Sequence, residues 1–202
     1  MGHDLVLWQR ESGKVVAKAG TGARGADWIS FNGNGLLLAV SSSARPMYPH
    51  AVTEVWRVWP DDGVRRITAL RATTALFAPA GDVLATADAD GLGLETVSAD
   101  GSLRGAVTLS PSGHMSAISF SSEGGLLAVA HDNGTVDLWT VRDPQHPARL
   151  TPAGGGPMLA DGPITSVGFA PDGKRLVVVG SKAELWNITS LPIPCCQRSS
   201  TR

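Results

Sequence analysis

Short apolar runs separated by turns rich in Gly, Asp, Asn and Pro succeed one another from about residue 4 to residue 188. Alternation of apolar and polar positions, as in Thr135-Val136-Asp137-Leu138-Trp139, predicts strands with one buried face. One composite pattern recurs. An apolar run ends in Phe, a turn containing Gly follows, and a second apolar run begins. The copies are 28–38, 75–85, 118–128 and 167–177, and they use all four phenylalanines of the chain, Phe31, Phe77, Phe120 and Phe169. The steps between these are 46, 43 and 49 residues. Tryptophan marks a second phase of the same period, at Trp8, Trp56, Trp139 and Trp186, each closing a strand-like run. One copy, Leu92–Val97, keeps the strand and lacks the Trp.

The period has a physical reading. Each unit of about 45 residues is a set of short strands joined by hairpins, whose glycines admit the positive φ that tight turns require. A single such sheet cannot bury both faces, so the units must stack on one another, and the Phe and Trp positions belong to the core between them.

Two stretches carry a family resemblance, Asn133-Gly134-Thr135-Val136-Asp137-Leu138-Trp139 and Gly162-Pro163-Ile164-Thr165-Ser166-Val167-Gly168-Phe169-Ala170-Pro171-Asp172-Gly173. Both resemble the repeat of the WD-repeat (WD40) β-propeller family, and the likeness, of bacterial type, extends over roughly residues 4–188. The resemblance implies an all-β partial β-propeller, an open arc of about four blades of four-stranded antiparallel sheet. Placed on the family's strand order, the units are 4–17 (incomplete), 28–70, 73–109, 115–151 and 164–188 (incomplete), seventeen strands in a domain of residues 1–191. The tail 192–202 is expected to be disordered. The family's seven-bladed ring would need 28 strands, so the arc is expected to be a fragment of a longer propeller, a truncated frame, or a half that self-associates to complete the ring. Departures are visible too. No Trp is followed by Asp, and the turn aspartate of the family's hydrogen-bonded tetrad is matched by Asp90 but replaced by Asn133. The blades are therefore expected to rely on apolar packing more than on the tetrad.

Composition narrows the function. In 202 residues, hydrophobic residues make up 43% and charged residues 17%, an ordinary globular balance. A net charge of −1 supplies no basic field for nucleic acid or an anionic membrane. The two cysteines are adjacent, Cys195 and Cys196, and offer no disulfide framework or four-ligand zinc site. With no secretion signal evident, a cytoplasmic location is expected.

Candidate chemistry is sparse. Gly20-Thr21-Gly22-Ala23-Arg24-Gly25 fits a dinucleotide fingerprint, but a strand entry follows where a helix is needed, so it reads as an inter-blade loop. Residues 152–157 lack the Lys-Ser/Thr of a phosphate loop and read as a flexible connection between blades. The five histidines share no metal-binding spacing. No catalytic residue, metal ligand or cofactor is expected. The insertion Ser42–Val52 holds the only Tyr. Its Arg45, Met47, Tyr48 and His50, together with His131 at a hairpin turn that could reach the axis, are the expected partner contacts. The function expected is a protein–protein interaction scaffold, a WD-repeat module of a larger regulatory or signalling protein. A non-functional truncated fragment is the alternative, and a metal-dependent hydrolase using the channel a lesser one.

Overall fold

A computed structural model of the chain describes residues 3–22, 26–42, 51–59, 63–88, 91–110, 112–152 and 157–189. These residues form eighteen strands in five antiparallel sheets. The first sheet is β1 (His3–Trp8) with β2 (Val15–Thr21). The second is β3 (Trp28–Phe31), β4 (Leu37–Ser42), β5 (Val52–Trp59) and β6 (Gly63–Leu70). The third is β7 (Thr74–Phe77), β8 (Val83–Ala87), β9 (Leu92–Val97) and β10 (Leu103–Leu109). The fourth holds β11 (Met115–Phe120), β12 (Leu126–His131), β13 (Thr135–Thr140) and β14 (Ala148–Leu150). The fifth is β16 (Ser166–Phe169), β17 (Arg175–Val179) and β18 (Ala183–Asn187). Apart from one further short strand in the fourth sheet, strands within each sheet pair in chain order, as short hairpins dictate, and among the described residues no sheet closes back onto the first.

The extra strand, β15 (Met158–Leu159), corrects the count of seventeen. It pairs with Thr135 and Val136 of β13, while β14 pairs with Leu138–Thr140 of the same strand. The outer edge of the fourth blade is thus covered by two short pieces. Met158 and Leu159, just after the segment read as a connection between blades, thus still belong to the fourth blade.

Period-two alternation explains the packing. In the second sheet Leu38 and Trp56 face back and close a core with Leu5 of the first. Their neighbours Leu37, Ala39 and Val55 face forward, onto Ala75, Phe77 and Leu84 of the third. The third and fourth sheets meet through Ala85, Leu92, Leu94, Phe120, Leu127 and Val129. The fourth and fifth meet through Ala128, Leu138, Val167, Leu176 and Val178. A leucine sealed in such a layer contributes about 2 kcal/mol. The turns after the first strand of each blade also lock together. Asn32 Nδ2 donates to Asp82 Oδ1 at 2.7 Å, and a Cβ added to Gly33 would lie 2.0 Å from the Pro79 carbonyl oxygen. Only glycine allows that approach.

The aromatic positions divide by their place in the stack. Trp56, Phe77 and Phe120 are buried, and Trp139, Phe169 and Trp186 are half-buried against the inter-blade cores. Trp8 and Phe31 are not the core residues they were expected to be; they are 62% and 45% exposed, because among the described residues the first sheet has only β1 and β2. The far end mirrors this. Leu185 is 61% exposed, whereas the register equivalents Val55, Leu94 and Leu138 are sealed by the next blade.

Candidate binding cleft and the polar clusters behind it

A carboxylate stands two residues before each Trp in three of the blades: Glu54, Asp137 and Glu184. Asp137 is sealed in the fourth blade. Its Oδ2 accepts from the Ser112 backbone N–H at 2.7 Å and contacts His131 Nε2 at 3.0 Å, while Oδ1 accepts from the Ser112 hydroxyl at 2.8 Å and from the Arg149 guanidinium. Burial pushes the Asp137 carboxyl up, but the hydrogen bonds from His131 and Ser112 and the charge of Arg149 together hold it below the usual carboxylate range. Glu54 repeats the arrangement in the second blade. It accepts from the Thr21 hydroxyl at 2.6 Å, the Gly22 N–H at 3.1 Å and Arg66 at 2.7 Å. Burial again raises its carboxyl and these partners again bring it below the ordinary value. Glu184 accepts from the Asp161 N–H at 3.1 Å and from the Trp186 indole at 2.9 Å.

In every copy the carboxylate is bound to the connection arriving from the preceding blade. Arg66 and Arg149 lie opposite Trp56 and Trp139 in register, so one strand pair presents acid and base side by side. The sequence carried this signal, an acid-x-Trp triplet with Arg twelve residues after the acid. The expectation that the blades rely on apolar packing more than on the tetrad did not include these clusters. The third blade breaks the rule: Gly93 replaces the acid and Glu95 takes the register position of the Trp. Glu95 Oε2 is buried without a hydrogen-bond partner, and burial raises its carboxyl above the ordinary value.

His131, expected to reach the axis and meet a partner, does neither. Its side chain is fully buried at the end of β12 and lies 3.0 Å from Asp137 of the adjoining strand β13. Asn133 is exposed, and its Oδ1 closes its own turn by accepting from the Thr135 N–H and hydroxyl. Arg45, Met47, Tyr48, His50 and Asp90 lie outside the described residues. Among the described residues no three His, Cys, Asp or Glu gather closely enough to hold a metal ion.

The surface feature that sequence reading did not find is a cleft of about 520 Å³ along the first strands of three consecutive blades. Trp28 and Ile29 come from β3, Thr74, Ala75 and Leu76 from β7, and Met115, Ala117 and Ile118 from β11. Asp88, Gly91 and His114 also line it. Trp28 and Ile29 are more than half exposed. The cleft brings together side chains about 43 to 46 residues apart, one from each repeat, so it exists only through the stacking of blades.

The repeat, the blade topology and this inner face define a β-propeller arc of the WD40 type. Known proteins agree at the level of fold. No protein-family profile matches the chain. Apoptotic protease-activating factor 1 of Rattus norvegicus is 36% identical over 83 residues, 39% of this chain and 7% of that protein. The Cps50 (Swd1) β-propeller domain of Myceliophteria thermophila superposes with a TM-score of 0.65 at 16% identity, covering 92% of this chain and 59% of that one. A functionally unknown protein from Desulfotomaculum acetoxidans superposes with a TM-score of 0.67 at 15% identity, covering 91% and 58%. The chain therefore spans a small part of the curated relative and somewhat more than half of the solved propellers.

Proposed function

We propose that the chain is a protein-interaction module that holds a segment of a partner protein in the cleft along β3, β7 and β11. The cleft carries this reading. It is concave, mainly apolar, lined largely by packed strands, and has a few polar groups among its lining, which are the attributes of a pre-formed recognition site. Its size suits a few side chains of an extended segment. Selection of displayed peptides on the immobilised protein tests the reading. Peptides recovered should lose binding to the Ile29→Asp variant; recovery of none, or of peptides indifferent to that change, would refute it.

A second reading concerns assembly, and a specific observation favours it. Val177 and Leu185 at one end, and Ile29 and Phe31 at the other, keep apolar side chains at positions that interior blades bury. These end faces suit further blades, from the same polypeptide or from a second copy, within a larger regulatory protein in a reducing compartment. Light scattering after size exclusion separates the cases. A defined dimer supports completion by a second copy. A molten or aggregating chain supports a fragment that needs its missing blades, and a cooperative, cold-stable monomer counts against both.

A further inference from the structure

Away from the cleft, two arginines converge on one indole. Arg57 of β5 and Arg65 of β6 are direct cross-strand partners, so their side chains leave the same face of the second sheet. Trp59 stands two residues further along β5 on that face, and Gly63, opposite it, adds no side chain. Both arginines therefore stand on the same side of Trp59 along the ladder. Their guanidinium carbons lie 5.7 and 5.6 Å from the centre of its ring. The face is the one turned to the third blade, where Arg57 Nη1 donates to the Ala99 carbonyl at 3.3 Å, in the turn between β9 and β10. That turn is pressed onto β6, since a Cβ added to Gly101 would lie 2.8 Å from Ile67 Cβ.

Arg66, Arg149 and Arg175 each pair with a carboxylate, Glu54, Asp137 and Asp172. Among the described residues Arg57 and Arg65 have no such ion pair. Asp100, the acid of the facing turn, directs its Oδ1 to the Ser102 N–H and hydroxyl at 2.9 and 2.8 Å. Asp61 and Asp62, between β5 and β6 in sequence, lie outside the described residues. Like charges at directly opposite strand positions repel, and here a ring and a carbonyl hold them in place without neutralising them. We infer that Arg57, Arg65 and Trp59 form a binding site for a phosphate monoester. Such a group carries about two negative charges near neutral pH and three acceptor oxygens, which match two guanidinium forks in charge and in donors; a carboxylate offers one charge. The Trp59 ring and the Ala99 carbonyl order the forks before a ligand arrives, which lowers the cost of binding. A free phosphate and a phosphorylated side chain of a partner protein present the same chemistry. The site takes no residue from the cleft and stands whether or not the cleft binds a partner.

The test titrates the full chain with inorganic phosphate and with blocked seven-residue peptides that differ only in a central phosphoserine, Ser or Glu. Binding is read from the Trp59 indole N–H and the Arg57 and Arg65 Nε–H resonances. The phosphoserine peptide should bind roughly tenfold or more tightly than the Glu peptide, and the Ser peptide should leave these resonances unmoved. Arg57→Gln and Arg65→Gln, both at surface positions, should each abolish that preference. Arg175→Gln removes the same charge from the fifth blade and should leave it intact. Phosphate and phosphoserine peptide binding alike support a site for the free anion, and a tighter peptide supports a partner's phosphorylated side chain. Equal binding of phosphoserine and Glu peptides, or equal loss in Arg175→Gln, overturns the inference. So does binding that appears only in the Asp61→Asn, Asp62→Asn double variant, because those acids would then own the two cations.

Discussion

Replacing Asp137 by Ala removes the acceptor that satisfies Ser112, His131 and Arg149 together. His131 stays buried, and its Nδ1 already has no partner among the described residues. The expected loss is about 2 kcal/mol, the low side for a broken buried pair because Arg149 partly reaches solvent; denaturant unfolding measures it. The same carboxylates set the acid limit of the fold. Asp137 and Glu54 titrate below their ordinary values when folded, so the stability they supply is complete above those ordinary values. It is lost as the pH falls through the folded ones, and an unfolding midpoint that stays constant from pH 6 to pH 2 would contradict this. Glu95 has the opposite sign. Its folded value is raised, so its favourable contribution is present below the ordinary glutamate value and disappears as pH rises through the raised one. Glu95→Gln should therefore stabilise the protein at neutral pH, by on the order of 1 kcal/mol, and the gain should vanish in acid. At this scale the sequence was only partly legible. The period located Trp56, Phe77 and Phe120 in the core, since burial at those positions follows from repetition. His131 does open the hairpin turn, its carbonyl accepting the Gly134 N–H, but the sequence did not show that its side chain is buried against Asp137 of the next strand.

The strand elements themselves were legible, because period-two alternation and Gly-bearing turns are local signals. The three four-stranded runs extend from Trp28 to Leu70, from Thr74 to Leu109 and from Met115 to Leu150, and β15 carries the last of them on to Leu159. β15 was not legible, since two residues carry no period and their pairing depends on β13 being already in place. Element packing also predicts an order of stability. The β1–β2 pair contributes Leu5 as a buried side chain, whereas β12 is buried throughout, β8 over most of its length and β9 at half of its positions. Hydrogen exchange should be fastest in β1–β2 and slowest in β8, β9 and β12, and protection of β1–β2 equal to that of β12 would contradict this ordering. The locked turns give a sharper case. Gly33→Ala places a methyl group against the Pro79 carbonyl, and the second and third blades must separate to admit it. A loss of about 2 kcal/mol is expected, of the size of a local overpacking defect, read as a lowered midpoint of thermal unfolding.

At the scale of the molecule, the arc and the WD-repeat likeness were legible, while the cleft was not. Its lining comes from separate repeats, and a lining residue such as Ile118 sits in the same repeat pattern as core residues. The two end faces carry a whole-molecule prediction. Leu185→Ser should leave stability within about 0.5 kcal/mol of the parent, as an exposed substitution does, while Leu138→Ser at the equivalent interior position should cost several times more. Sedimentation of the parent and of Leu185→Ser then reports directly whether that face mediates association. The carboxylate clusters add a direction to the stack. Glu54, Asp137 and Glu184 each reach backward, to Thr21 and Gly22, to Ser112 and to Asp161 respectively. On a ribosome, where earlier blades emerge first, each of these three blades would arrive carrying the clasp that fastens the connection from its predecessor, so that assembly proceeds like a zip drawn from one end.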